Sequence, residues 1–416
     1  MKIGLVTAEY PPMQGGVGDF TREVARALVA LGHWVWVITS RQSPISNLQL
    51  EEDGIQVERV IRGWGWGCWR ALSDQVRQLG LDVVNIQYQA AAYRMHPAIN
   101  LLPLARRSLL VHWPDVPIVV TFHDLKVPYL FPKAGSLRRR AVLALASSAE
   151  AAIVTNPEDE IELRTEASAL RAGASVRNPK HLHCAQAQVS AINRIPIGSN
   201  ITPHLPADYN RREWRWRWGV KQGETLIGYF GFLHPLKGGE VLVRALAELA
   251  SEGRAVRLLH IGGRTGSSDP DTNTTYAARV ESLARELGVS DRIAATGYMP
   301  PDEVAASFFA TDVFALPYVE GASLRHGTFH AALAHGRAIV TTCPPVPLDE
   351  LRDGQDVLLV PPNDAHALAQ GICRVMDNPD LRARLERGAA ELAQQFTWDR
   401  IAARTIQVYE QVFQRR

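Results

Sequence analysis

The sequence predicts an α/β protein built as two doubly wound parallel-sheet domains with a ligand crevice between them. Three observations carry that expectation. The chain has 416 residues, about twice the length of a common domain. Short Val/Ile-rich runs alternate with amphipathic helical stretches from residue 3 onward. The same alternation restarts at Thr225, after a polar, Pro-bearing stretch from Gly198 to Arg212 that reads as a linker. The expected division is a first domain over 1–200, to which a C-terminal helix over 398–416 returns, and a second over 201–397.

Each element follows from its local pattern. Ile3 to Thr7 is a five-residue apolar run and predicts the first strand, followed by a helix from about Asp19 to Leu31. Strands follow at Trp34 to Thr39, Val83 to Gln87, Pro117 to Phe122, Ala152 to Thr155 and Ile192 to Pro196, each ending in a polar turn. In the second series the strands are Leu226 to Phe230, Arg257 to Ile261, Arg292 to Thr296, Val313 to Leu316 and Ala338 to Thr341. The closing FTWDRIAARTIQVYEQVF places Ile401, Ile406, Val408, Tyr409, Val412 and Phe413 at helical spacing, which predicts an amphipathic helix lying on a neighbour.

Composition narrows the class. With 46% hydrophobic and 21% charged residues the chain is ordinary globular protein, and a net charge of +2 gives no bulk attraction to nucleic acid. The four cysteines, Cys68, Cys184, Cys343 and Cys373, lack metal-ligand spacing and read as free thiols of a reducing compartment. No window reaches ~18 uncharged apolar residues, and the apolar run before Glu9 is short for a signal peptide. A cytoplasmic protein, at most peripheral to a membrane, is expected.

Doubly wound sheets bind ligands beyond the carboxyl ends of their strands, so the motifs at those ends matter most. In GFLHPLKGGE, Gly231 opens the turn and Lys237 stands at the start of a helix over Gly238 to Leu249, where an ammonium and a helix dipole together suit a phosphate; the alternative is a solvated surface lysine. In EGASLRHGTFHAALAHG, Glu320 follows a buried strand, the backbone of Gly321, Ala322, Ser323 and Leu324 is placed to cradle phosphate oxygens, and Arg325 adds a forked cation. Thr328 and Gly336 suit N-terminal and C-terminal capping of the next helix. After the first strand, Gly15, Gly16 and Gly18 precede a helix but lack dinucleotide-fingerprint spacing. His123 and Asp124 end the strand Ile118 to Phe122, where a histidine is either a ligand contact or a loop hydrogen-bonding group.

In combination and in order, AEYPPMQGGVGDF, NIQYQ, VTFHD, IPIGSN, GFLHPLKGG, ATGYMPPDEV, the EGAS loop with HGRAIVTT, and FTWDRIA resemble family 4 of the retaining glycosyltransferases over nearly the whole chain. The resemblance implies the GT-B architecture of two facing Rossmann-like domains, with a nucleoside diphosphate sugar, UDP- or GDP-linked, in the C-terminal domain and a hydroxyl acceptor in the N-terminal one. It implies that Lys237 contacts the donor diphosphate, Glu320 holds hydroxyls of the transferred sugar, His123 lies near that sugar, the Gly16 amide faces the diphosphate, and Tyr298 and Met299 lie where backbone grips the base. It also implies that the departing phosphate accepts the acceptor's proton on the same face. The acceptor is a saccharide, a lipid-linked molecule or a small molecule; Trp64, Trp66 and Trp69 and the stretch Arg138 to Arg140 would flank a lipid-linked one, or else serve as core packing and a solvated helix face.

The chain departs from the family pattern at three points. Phe232 stands where an arginine is usual, Arg325 where a proline is usual, and Thr328 where a second glutamate is usual. Arg325 is expected to restore the missing diphosphate cation, while a hydroxyl at 328 makes fewer ribose contacts than a carboxylate. The polar stretch Gly262 to Tyr276 is a further source of donor contacts. No Asp-x-Asp cluster stands in either motif, so neither a metal nor a resident cofactor is expected. The rival expectations are a nucleotide-sugar epimerase or phosphorylase on the same scaffold, and a non-catalytic nucleotide-sugar-binding protein.

Overall fold

The computed structural model describes residues 1–13, 15–41, 50–106, 112–125, 135–171, 191–263 and 270–415. Cys184 and residues 264–269 of the polar stretch lie outside them. The chain divides into two compact units, Met1–Ile197 together with Trp398–Arg416, and Gly198–Thr397.

The first unit holds an eight-stranded sheet. Its strands are β1 (Lys2–Val6), β2 (Trp34–Ser40), β3 (Leu50–Glu52), β4 (Ile55–Ile61), β5 (Val83–Gln89), β6 (Ile118–Asp124), β7 (Ala151–Val154) and β8 (Ala191–Arg194). They run in the order β3-β4-β2-β1-β5-β6-β7-β8, parallel except where β3 pairs antiparallel with β4. The central strands β1 and β5 are buried on both faces because helices cover both sides of a parallel sheet, and β5 carries the polar Asn85 and Gln87 into that interior. The order reverses between β1 and β5, the place where a doubly wound sheet opens a crevice.

Helix α1 (Gly16–Ala30) buries Phe20, Val24, Ala25 and Leu28 in one cluster with Ile3, Leu5 and Val83. The last helix, α13 (Trp398–Gln414), joins that cluster through Ile401, Ile406, Val408, Tyr409 and Val412. Phe413, expected on the packed face, is 46% exposed. Tyr409 also makes a polar contact inside the core. Its hydroxyl accepts from Asn85 Nδ2 at 2.6 Å, and Asn85 Oδ1 accepts from Thr121 Oγ1 at 3.0 Å, so α13, β5 and β6 share one fully buried network.

The second unit has β9 (Thr225–Phe230), β10 (Val256–Ile261), β11 (Ile293–Ala295), β12 (Val313–Leu316), β13 (Ile339–Thr342) and β14 (Leu358–Val360). All pairs are parallel and the order is β11-β10-β9-β12-β13-β14, which reverses between β9 and β12. Two buried clusters fill its faces. One gathers Leu242, Leu246, Val256, Val313 and Leu368; the other gathers Phe308, Phe314, Phe329, Leu333 and Ile339. Phe308 and Phe314 stack at 4.4 Å, a contact of roughly 0.5–1.5 kcal/mol beyond area burial. Helix α6 (Arg211–Arg217) starts within the stretch expected as linker, where Asn210 caps it by accepting from the N–H groups of Arg212 and Glu213.

Candidate functional site

The second unit brings the two glycine-bearing turns together at its switch point. Phe230 ends β9, and the chain turns at Gly231 with φ +106°, a conformation that glycine adopts without strain. A 3-10 turn over Pro235–Lys237 follows, then Gly238 in the left-handed region, then α7 (Gly239–Ser251). Lys237 therefore ends this short turn two residues ahead of α7 and does not lie within the helix.

The turn after β12 presses against the first. A methyl group on Gly238 would lie 2.0 Å from the Pro317 carbonyl oxygen, and Val319 N–H donates to the Leu236 carbonyl at 2.9 Å. A methyl on Gly231 would meet Thr328 Cγ2 at 2.7 Å and Lys237 Nζ at 3.0 Å. Thr328, distant in sequence, thus lines one small space together with Gly231 and Lys237.

Lys237 keeps part of its surface in solvent, yet burial around its ammonium lowers its pKa from 10.5 to about 8. Among the described residues no carboxylate forms an ion pair with it. Arg325 sits differently. Its guanidinium bonds Glu320 Oε2 at 3.2 Å and its side chain is only 14% exposed, so these two charges offset each other. The extra cation expected from Arg325 is tied to the neighbouring acid.

The EGAS loop is more occupied than the sequence suggests. Gly321 N–H bonds the Tyr318 carbonyl and Ala322 N–H bonds the Thr342 carbonyl, whereas no acceptor among the described residues takes the amides of Ser323 and Leu324. Thr328 does not cap α10 (Gly327–Ala334). His326 holds the capping position, and Thr328 Oγ1 pairs with Tyr318 OH at 2.7 Å. Gly336 lies just past that helix with φ +56°, and its N–H bonds the Leu333 carbonyl, as a terminating glycine does.

Tyr298 and Met299 follow β11. Tyr298 is 79% exposed, whereas Met299 is buried with its sulfur taking a contact from Ser307 Oγ at 3.8 Å. An exposed ring beside a fixed backbone is what a flat base would stack on.

The first unit gathers a second group at the ends of β1, β5 and β6. His123 packs edge-on against Phe20 with ring centres 4.6 Å apart, and its Nε2 lies 3.0 Å from Gln87 Oε1. Burial lowers its pKa to about 3, so the imidazole is neutral near pH 7, donates Nε2–H to Gln87 and keeps a lone pair on Nδ1. Gln87, 1% exposed and one strand over, was not singled out in the sequence; its place within the NIQYQ run was the available signal.

Gly15 occupies the position before α1, and a methyl there would meet the Glu9 carboxylate at 2.2 Å. Gly16 is exposed at the first helical residue with open space around it. Burial raises the pKa of Glu9, with the Asp19 charge adding to it. Trp64 is core, 6% exposed, while Trp66 is 51% exposed and Arg139 and Arg140 are exposed; the Arg138 side chain lies outside the description. Among the described residues no helix is long and apolar enough to cross a membrane.

This arrangement has relatives. The family described as Glycosyl transferases group 1 matches residues 210–392, and Glycosyltransferase Family 4 matches residues 14–168. A D-inositol 3-phosphate glycosyltransferase of Xylanimonas cellulosilytica is 27% identical over 97% of this chain and 93% of its own length. Among solved structures, sucrose-phosphate synthase from Thermosynechococcus elongatus superposes with a TM-score of 0.75 at 21% identity, each chain covered in full. Anabaena HepE in complex with UDP and glucose superposes with a TM-score of 0.73 at 19% identity, covering 99% of this chain and 100% of its own. A glycosyltransferase family model thus matches each of the two units, and the protein is a glycosyltransferase of the GT-B fold.

Proposed function

We propose that the protein moves a sugar from a nucleoside diphosphate sugar, UDP- or GDP-linked, to a hydroxyl acceptor with retention at the anomeric carbon. The observation that carries this reading is the desolvated Lys237 ammonium, without a carboxylate partner among the described residues, beside the Gly231 turn and the start of α10. Negative charge grows on the β-phosphate as the glycosidic bond breaks, and a fixed cation with helix amides aimed there lowers the barrier. Glu320, held by Arg325, accepts hydrogen bonds from hydroxyls of the transferred sugar. The amides of Ser323 and Leu324 contact phosphate oxygens, and Tyr298 offers a face to the base. In the first unit the Nδ1 lone pair of the neutral His123 accepts from a sugar hydroxyl, and Gly16 lets a phosphate approach the start of α1.

In this reading no carboxylate attacks the sugar. The departing phosphate oxygen takes the acceptor's proton as the new bond forms on the same face. The charge handled by Lys237 makes a divalent ion unnecessary to the proposal, and turnover is expected to be unchanged by a chelator; loss that Mg²⁺ or Mn²⁺ restores would contradict that part.

The whole reading is tested by incubating anomerically defined UDP- and GDP-sugars with a panel of saccharide, lipid-linked and small-molecule alcohols. Release of nucleoside diphosphate together with a glycoside of unchanged anomeric configuration is expected. An isomer still joined to the nucleotide would indicate an epimerase, and an inverted glycoside would exclude retention.

A further inference from the structure

Two buried histidines stand behind the two turns of the second unit, and neither has been assigned a role. His260, on β10 and 8% exposed, places Nε2 2.8 Å from the Gly231 carbonyl oxygen. His330, on α10 and 2% exposed, places Nε2 2.8 Å from the Leu324 carbonyl oxygen. A carbonyl can only accept, so each Nε2 carries the proton.

We propose that His260 and His330 are positioning residues that fix the two anion-binding turns from behind, so that their open amides face the nucleotide diphosphate. The inference rests on the donor-site reading above. Its physical basis is the planar trans peptide: a carbonyl held toward the core sends the next N–H to the opposite side. With the Gly231 carbonyl bound by His260, the Phe232 N–H is directed away from the sheet interior, and no acceptor within the described residues takes it. Gly231 N–H is itself bound to the Ile261 carbonyl at 2.9 Å, so the residue is held through the peptides on both of its sides.

His330 holds the second turn by a different link. The amide that follows the Leu324 carbonyl is that of Arg325, which donates to Ser323 Oγ at 3.4 Å, so the His330 bond acts by tying the loop backbone at Leu324 to the first turn of α10, and this sets the amides of Ser323 and Leu324 beside those of Gly327 and Thr328 at the helix start. None of these four N–H groups is taken up within the described residues. The bond comes at a cost, since Nδ1 of His330, like Nε2 of His335, is buried without a partner among the described residues, a penalty of roughly 1–3 kcal/mol for a polar atom. A leucine would fill the space without that cost. Burial lowers the His330 pKa to about 4, so the imidazole stays neutral and keeps the tautomer that the carbonyl requires.

His335 supplies an internal control. It is 3% exposed on the same helix, but its Nδ1 bonds the Ala331 carbonyl of α10 itself and its ring stacks on Phe308 at 4.4 Å. It holds no turn.

The experiment measures the Kd of UDP and GDP, and the melting temperature, for the full chain and for variants at 260, 330 and 335. His260→Leu and His330→Leu, with methionine at the same position in place of either leucine variant that does not fold, should each weaken nucleoside diphosphate binding about tenfold. His260→Gln and His330→Gln, whose amide N–H reaches as far as Nε2, should return it to within about threefold of the parent. His335→Leu should change melting temperature alone. Leucine variants at 260 and 330 that lose melting temperature but keep Kd within twofold, as His335→Leu does, would overturn the proposal. Lys237→Ala separates the two failures: a diphosphate affinity unchanged by that substitution, or absent from the parent protein, removes the donor-site reading and the inference with it. Loss with Lys237→Ala and none with the histidine variants refutes the positioning role only.

Discussion

Lys237 concentrates the chemistry of the second unit in one titratable atom. Its lowered pKa of about 8 means that the free protein loses the ammonium as pH rises through that value, whereas a bound diphosphate favours the charged form. Affinity for UDP or GDP, followed by calorimetry from pH 6.5 to 9.5, is therefore expected to be flat below about 8 and to fall above it. Lys237→Ala should cost about 10²–10³ in turnover, the usual penalty for removing one group that stabilises developing charge. Gly238 makes a different prediction. Its φ of +69° and the 2.0 Å approach of a Cβ to the Pro317 oxygen mean that Gly238→Ala strains the backbone and collides with a fixed carbonyl. A loss of about 2 kcal/mol or more in denaturant unfolding is expected.

At the scale of elements, α13 tests how polar burial contributes to the first unit. Tyr409→Phe keeps the ring in its buried cluster but leaves Asn85 Nδ2 without its acceptor, so a loss of about 1–3 kcal/mol is expected, read as a lower midpoint with an unchanged m-value. This helix was legible in the sequence because its apolar spacing is strict, and so were the central strands, which carry Val/Ile-rich runs. The edge hairpin β3–β4 was not. Ile55–Ile61 alternates apolar with polar residues and is half buried, and the Asp53-Gly54 turn signal before it, with φ of 54° and 77°, is the cue that was passed over. The short β14 leaves no pattern to read, because Leu358–Val360 is only three residues long. The motifs carrying Lys237, Glu320 and His123 stood out because each ends an apolar run. What spacing cannot encode is how a loop spends its own donors: the capture of the Gly321 and Ala322 amides, the tie between Arg325 and Glu320, and the Thr328 contact with Tyr318 are all tertiary.

For the molecule as a whole, buried neutral imidazoles set its behaviour in acid. His330 and His335 have pKa values lowered to about 4, and His123 to about 3, all by burial, while the unfolded chain returns each to about 6.5. Below pH 6.5 the unfolded state takes up protons that the folded state refuses, so stability should fall as pH drops from 6.5 toward 4, by up to ~1.4 kcal/mol per pH unit for each fully buried imidazole, and these groups add no slope above 6.5. Thermal unfolding across that range checks the sign; a melting temperature that rises on acidification to pH 4.5 would contradict it. Substrate meets a different property of the fold. Because Gly238 abuts Pro317 and Val319 is bonded to Leu236, the turns after β9 and β12 cannot part without breaking a main-chain link. Their ordering entropy is spent during synthesis of the native state, once, and not again at every catalytic cycle. A rigid inhibitor shaped to this shelf would find its mould already cast.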